Sequence, residues 1–101
     1  MIIIVTCMDM HNEHRMALSE IRSQIGTRRV VVGAKQLRKA MNAGSVFCVY
    51  LAANADPAIT EPLEALCKCS NVKYAWARSM ADLGHACGIE VGASAAAAVN
   101  L

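Results

Sequence analysis

The eight residues Val46-Phe47-Cys48-Val49-Tyr50-Leu51-Ala52-Ala53 form a continuous apolar run with no charge in it, and this run constrains the fold more than any other feature. A strand with one wet face alternates apolar and polar residues. A strand apolar throughout is covered on both faces, as in sheets with helices packed on either side. The rest of the chain must therefore supply those helices and further strands.

Reading outward from the run supplies them. Leu18, Ile21 and Ile25 recur at helical spacing and Gly26 stops that helix. Arg29-Val30-Val31-Val32 is a short β-branched strand ending at Gly33, where the chain can turn into a helix over Ala34 to Asn42. In that helix Leu37, Ala40 and Met41 share one face, which leaves Lys35, Gln36, Arg38 and Lys39 for the others. After the turn Asn54-Ala55-Asp56-Pro57, Thr60 is expected to cap a helix with Glu61 and Pro62 in its first turn and Leu63 and Leu66 inward. Val72 to Trp76 reads as a strand, and Ser79 caps a short helix running through Leu83 and Ala86 to Gly88. The tail from Gly92 to Val99 is open between two readings. Its alanines favour helix by propensity, yet a small-residue strand buried between helices is equally compatible.

Helices alternating with strands imply a three-layer α/β/α sandwich around a central four-stranded mixed sheet. At 101 residues there is room for one domain. It is expected over residues 16–101, with residues 1–15 a poorly ordered extension unless Ile2 to Val5 meets a sheet edge. Hydrophobic residues make up 55% of the chain but aromatics only 4%, so the core must come from Val, Ile, Leu, Met and Ala in thin layers. No apolar run reaches the roughly 18–20 residues that span a bilayer, and Met1 to Val5 lacks the basic start of a secretory signal. A cytoplasmic protein without a membrane partner is expected.

The net charge of +2 is small, but its distribution is uneven. Ile21 to Ala55 contains no Asp or Glu, while Arg22, Arg28, Arg29, Lys35, Arg38 and Lys39 all fall within it. One region should carry positive potential, as either an anion-binding surface or a solvated helix face. Cys7, Cys48, Cys67, Cys69 and Cys87 are odd in number and lie mostly in apolar stretches, as reduced core thiols do. Cys67 and Cys69, two apart on a helix, point to nearly opposite sides and cannot close on one metal ion. His11 and His14 lack a third ligand nearby in sequence, so no metal or other cofactor is expected. Cys48 or Cys87 with His85 and Asp56 contains the residue types of a thiol hydrolase, but a thiol in a doubly buried strand is disfavoured as a thiolate.

From about Ile25 onward the chain carries, in order, Val32-Gly33-Ala34-Lys35-Gln36, Leu51-Ala52-Ala53-Asn54-Ala55-Asp56-Pro57, Leu83-Gly84-His85-Ala86-Cys87-Gly88 and Ile89-Glu90-Val91-Gly92-Ala93. Together these segments resemble the kink-turn-binding ribosomal proteins, the large-subunit proteins called L-seven-Ae and their bacterial relatives. The resemblance implies a non-catalytic protein that binds and stabilises kink-turns, bent RNA elements with sheared G·A pairs beside a bulge. The family pattern Gly-x-Asn-Glu-x-x-Lys falls on Gly33, Lys35, Gln36 and Lys39. Here Lys35 replaces the usual Asn and Gln36 the usual Glu, as in bacterial members.

The RNA-binding residues so implied are Gly33, Ala34, Lys35, Gln36, Arg38 and Lys39, with Ile89, Glu90, Val91 and Gly92 as a second part. Ile89 and Val91 would offer apolar contact to an unstacked nucleotide, and Arg38, Lys39 and either Arg28 or Arg29 would serve phosphates. The expected partner is ribosomal RNA or another structured RNA, with the ribosome as one setting, no small-molecule substrate, and the protein a monomer. The alternative is a protein-interaction scaffold, or an accessory RNA-recognition module, of the same fold.

Overall fold

The computed structural model describes residues 15–100. Expectations that fall on Ile2 to Val5, Cys7, His11 and His14, and on the extension up to residue 14, lie outside the described residues. The elements run β1 (Arg15–Met16), α1 (Leu18–Ile25), β2 (Arg29–Val32), α2 (Ala34–Asn42), β3 (Val46–Ala52), α3 (Pro57–Cys69), β4 (Tyr74–Ala77), α4 (Met80–Ala86) and β5 (Ala95–Val99).

The sheet is mixed and has five strands, in the order β1-β4-β3-β5-β2, rather than the four expected. The additional strand is β1, whose two residues pair in parallel with Trp76 and Ala77. Two residues are too few to show a period, so sequence pattern does not reveal such a strand. β3 is central. It lies parallel to β4 and antiparallel to β5, and Cys48 to Ala52 have no exposed surface. The apolar run is thus covered on both faces.

The two faces carry separate cores. On one, α1 and α4 bury Ile21, Ile25 and Leu83 against Cys48, Tyr50, Ala96 and Ala98. On the other, α2 and α3 bury Leu37, Leu63 and Cys67 against Val49, Leu51, Ala95 and Ala97. Full burial of a Leu or Ile side chain stabilises the fold by about 1.5–3 kcal/mol, so these few residues hold each helix to the sheet. The tail resolves as β5, hydrogen-bonded to β2 on one side and β3 on the other, with its five residues buried.

Where β3 meets β5, Val46 pairs with Val99 and Cys48 with Ala98, so Phe47 is an extra residue in a β-bulge. The bulge places Phe47 on the same core as its neighbour Cys48. The Arg28 guanidinium covers its ring at 3.6 Å and the Lys73 ammonium stands 5.2 Å away.

Helix starts correct one expectation. Thr60 is 3% exposed and sits inside α3, which begins at Pro57 and is capped by Asp56, whose carboxylate accepts from the Ala58 N–H at 3.0 Å. Asp followed by Pro is a stronger start than Thr, because Asp satisfies a free N–H and Pro lacks one where none is needed. Pro62 consequently lies in the second turn. β4 begins at Tyr74 rather than Val72, whose N–H instead closes the end of α3 on the Cys67 carbonyl at 2.8 Å. Ser79 caps α4 as expected, accepting from the Asp82 N–H at 3.1 Å.

Candidate functional site

The registers bring the C-terminal ends of β2, β3 and β4 and the N-terminal end of β5 to one edge of the sheet: Val32 pairs with Ala96, Leu51 with Ala95 and Ala52 with Ala77. Each helix follows the end of a strand that runs toward this edge, so all of them start here. The positive ends of their backbone dipoles share that orientation.

Three of these starts are satisfied by side chains. Asp56 and Ser79 cap α3 and α4, and at α1 the Glu20 carboxylate accepts from the Ala17 N–H at 3.0 Å. α2 differs. Its N-cap is Gly33, among the described residues no side chain bonds its cap, and its first turn contains no acid. The N–H groups of Ala34, Lys35 and Gln36, which have no partner within a helix, are therefore presented at its start. Gly33 reaches this position with φ 99° and ψ 150°, a region essentially restricted to glycine. Its own N–H donates to the Ala95 carbonyl at 2.9 Å, which ties the start of α2 to the start of β5.

Along α2, Leu37 is fully buried and Ala34 and Met41 pack on the same core, while Lys35, Gln36, Arg38 and Lys39 are exposed. Lys35 and Lys39 are one helical step of four apart and Gln36 lies three before Lys39, so these three share the outer face. Arg38 flanks them on the side of Ala34. The Lys heads are donors and the Gln36 amide can donate as well as accept, so the outer face and the N–H groups at the start of α2 together suit an acceptor-rich, anionic ligand.

The second predicted part, the loop from Gly88 to Ala93, lies at the same edge. Its return to β5 is fixed by backbone bonds: Ile89 N–H to the Gly84 carbonyl at 3.0 Å, Ala93 N–H to the Met80 carbonyl at 3.0 Å, and Ala52 N–H to the Ser94 carbonyl at 2.9 Å. Val91 is 70% exposed, a large apolar side chain in water, and Glu90 and Gly92 are also exposed. Ile89 is different from expectation: it is half-buried and packs on the core beneath α1 and α4, because its backbone bond to Gly84 turns it inward. Of the pair, Val91 is the one that stands fully in water.

Arg28 and Arg29 do not join this site. They begin β2, which pairs with the end of β5 at Val99, so they lie at the opposite edge of the sheet. Arg28 is engaged there, donating to the Gln24 carbonyl at 3.3 Å as it covers Phe47. Asn54, in the turn after β3, has a role the sequence pattern does not disclose: its side-chain carbonyl accepts from the Met80 N–H at 2.8 Å and so fixes the start of α4 beside the loop. An Asn in a strand-to-helix connection signals such backbone bonding, but its acceptor lies on another element.

Of the thiol residues, Cys48 is fully buried and desolvation raises its pKa, which keeps it protonated. Cys67 is buried and Cys69 exposed, so they face opposite sides of α3. Asp56 is held at its cap and His85 is exposed, its carbonyl accepting from Arg22 at 3.1 Å.

The model of the family described as ribosomal protein L7Ae/L30e/S12e/Gadd45 matches residues 16–101. An "RNA-binding protein" of Bacillus pumilus is 43% identical over 68 residues, 67% of this chain and 83% of the relative. RNA-binding protein YbxF of Geobacillus stearothermophilus is 39% identical over 69 residues, 68% of this chain and 84% of its own length. Among solved structures, the 15.5kD RNA binding protein of Giardia lamblia superposes with a TM-score of 0.72 at 28% identity, covering 83% of this chain and 71% of that one.

Proposed function

The chain belongs to the ribosomal protein L7Ae/L30e/S12e/Gadd45 family, and from that premise we propose that it is a non-catalytic RNA-binding protein that recognises and stabilises kink-turn RNA. The observation that carries the reading is the convergence, at one edge of the sheet, of the uncapped, basic start of α2 with a pinned loop that holds Val91 in water. RNA of A-form geometry hides its major-groove edges, so proteins read it through backbone shape and through bases that are unstacked or sheared. The N–H groups of α2 with Lys35 and Lys39 suit phosphate oxygens, Gln36 suits the polar edges of a sheared pair, and Val91 suits the face of an extruded base.

The activity is binding and shaping. A protein with greater affinity for the bent form of an RNA shifts the population toward it, and no bond is made or broken. Among the described residues no helix is long and apolar enough to cross a membrane. The reading places the protein in the cytoplasm as a monomer on structured RNA, the ribosome's included.

The test is a titration of a kink-turn RNA beside the same RNA with its G·A pairs converted to Watson–Crick pairs, near physiological salt, where nonspecific binding is weak. A preference of tenfold or more, about 1.4 kcal/mol, is expected. Equal binding to the two RNAs would retire the reading in favour of a protein-interaction module.

A further inference from the structure

Gly84 is a glycine in the interior of α4 and is buried. Such a residue destabilises a helix by about 1 kcal/mol relative to alanine, so its presence calls for a reason in packing. The reason lies in the loop that returns to β5. A Cβ built on Gly84 would overlap the Val91 carbonyl oxygen, stand 3.1 Å from the Val91 carbonyl carbon and lie 3.2 Å from the Gly92 Cα. All these atoms are backbone, so none can swing aside as a side chain does. The Gly84 carbonyl meanwhile accepts from the Ile89 N–H, which holds the other end of the same loop. Gly92 rests on Met80, where a Cβ would come within 3.1 Å of the Met80 Cβ and 3.3 Å of its carbonyl carbon.

We propose that Gly84 is the positioning residue that sets the specificity of this surface: because it has no Cβ, the Val91 carbonyl seats on α4 and the Val91 side chain is held outward toward the ligand. The inference rests on the RNA-binding reading of the site and adds to it a residue that touches no ligand. Gly84→Ala forces the Val91–Gly92 backbone off α4 and moves the Val91 side chain, while the start of α2, on the other face of the sheet, keeps its place. Phosphate attraction from Lys35 and Lys39 is then retained and recognition that depends on Val91 is lost.

The experiment measures binding of wild type, Gly84→Ala, Val91→Ala and the double variant to the kink-turn RNA and to its Watson–Crick-paired counterpart, with thermal melts of each protein. Gly84→Ala is expected to lose tenfold or more in affinity for the kink-turn RNA, to bind the paired control unchanged, and to add no further loss to Val91→Ala. A protein weakened only in overall structure would lose affinity for both RNAs alike. Full multiplication of the two single losses, or a Gly84→Ala protein that discriminates like wild type, would overturn the proposal while leaving the RNA-binding reading in place. A wild type that does not distinguish the two RNAs would overturn both. If Gly84→Ala does not fold, Gly92→Ala replaces it. Its contacts with Met80 require shifts of only a few tenths of an ångström, and the same pattern with a smaller loss is expected, with multiplication again counting against the proposal.

Discussion

Replacing Gly33 by alanine isolates the conformational cost of starting α2 where it starts. The residue has φ 99° and ψ 150°, and a Cβ there meets nothing within 4 Å. Steric collision with neighbours is therefore absent and the cost is that of the backbone alone. For a side-chain-bearing residue held in glycine-only space this is about 2 kcal/mol, within a range of ~1–3. Alanine also restricts the unfolded chain, which returns about 0.4–1 kcal/mol. The net loss is about 1–1.5 kcal/mol, and for a domain of this size each kcal/mol lowers the thermal midpoint by about 4–8 °C. Melts followed by circular dichroism should thus show a midpoint lower by about 4–12 °C. Because the space is open, Gly33→Ser should cost about as much as Gly33→Ala. An unchanged or raised midpoint for Gly33→Ala would refute the argument, since the residue would then not occupy this backbone region in solution. A loss that grew steeply from Ala to Ser would refute it differently, by showing a collision.

Lys39→Ala should weaken binding to every RNA and reduce the slope of log affinity against log salt by about 1, as expected for one lost phosphate contact, measured by titration at several salt concentrations. Gln36→Ala should instead erode the preference for the kink-turn RNA over its paired counterpart, and equal loss on both would count against a role for Gln36 in reading G·A pairs. Leu63→Ala, at a side chain with no exposed surface, should cost about 2–5 kcal/mol in urea unfolding because it leaves a cavity between α3 and the sheet. Burial pushes the Cys67 thiol up to about 11, so between about pH 9 and 11 the unfolded chain ionises this thiol while the folded one keeps it protonated. Stability should then fall as pH rises through that window. Cys67→Val should make the decline measured by urea unfolding shallower than in wild type.

Much of the architecture was legible locally because the signals are local. The unbroken apolar stretch through Leu51 could only be a doubly covered strand. Gly33 between a β-branched strand and an amphipathic helix, and Ser79 ahead of α4, marked their turns through backbone chemistry that neighbouring residues determine. Lys35, Gln36, Arg38 and Lys39 were legible as lying off the buried face, because helical spacing puts Leu37, Ala40 and Met41 together on it. The engagement of Arg28 was not legible for the complementary reason: its partner Phe47 is brought to it by a bulge in another strand. Ile89 and Val91 have the same chemistry, and that the first packs on the core while the second stands in water follows from the path of the loop, which bonds to another element.

By itself the sequence determined the order of the longer helices and strands up to the tail, which faces had to be buried, and that basic residues would gather without acids between Ile21 and Ala55. Tertiary structure decided the rest, and the tail shows why. Ala95 to Val99 favours helix by propensity, a preference of at most about 0.7 kcal/mol per residue among ordinary residues. Between β2 and β3 the same segment makes hydrogen bonds on both edges and loses nearly all exposure. Its small side chains let helices pack closely on both faces, a gain available only once the neighbouring strands are present.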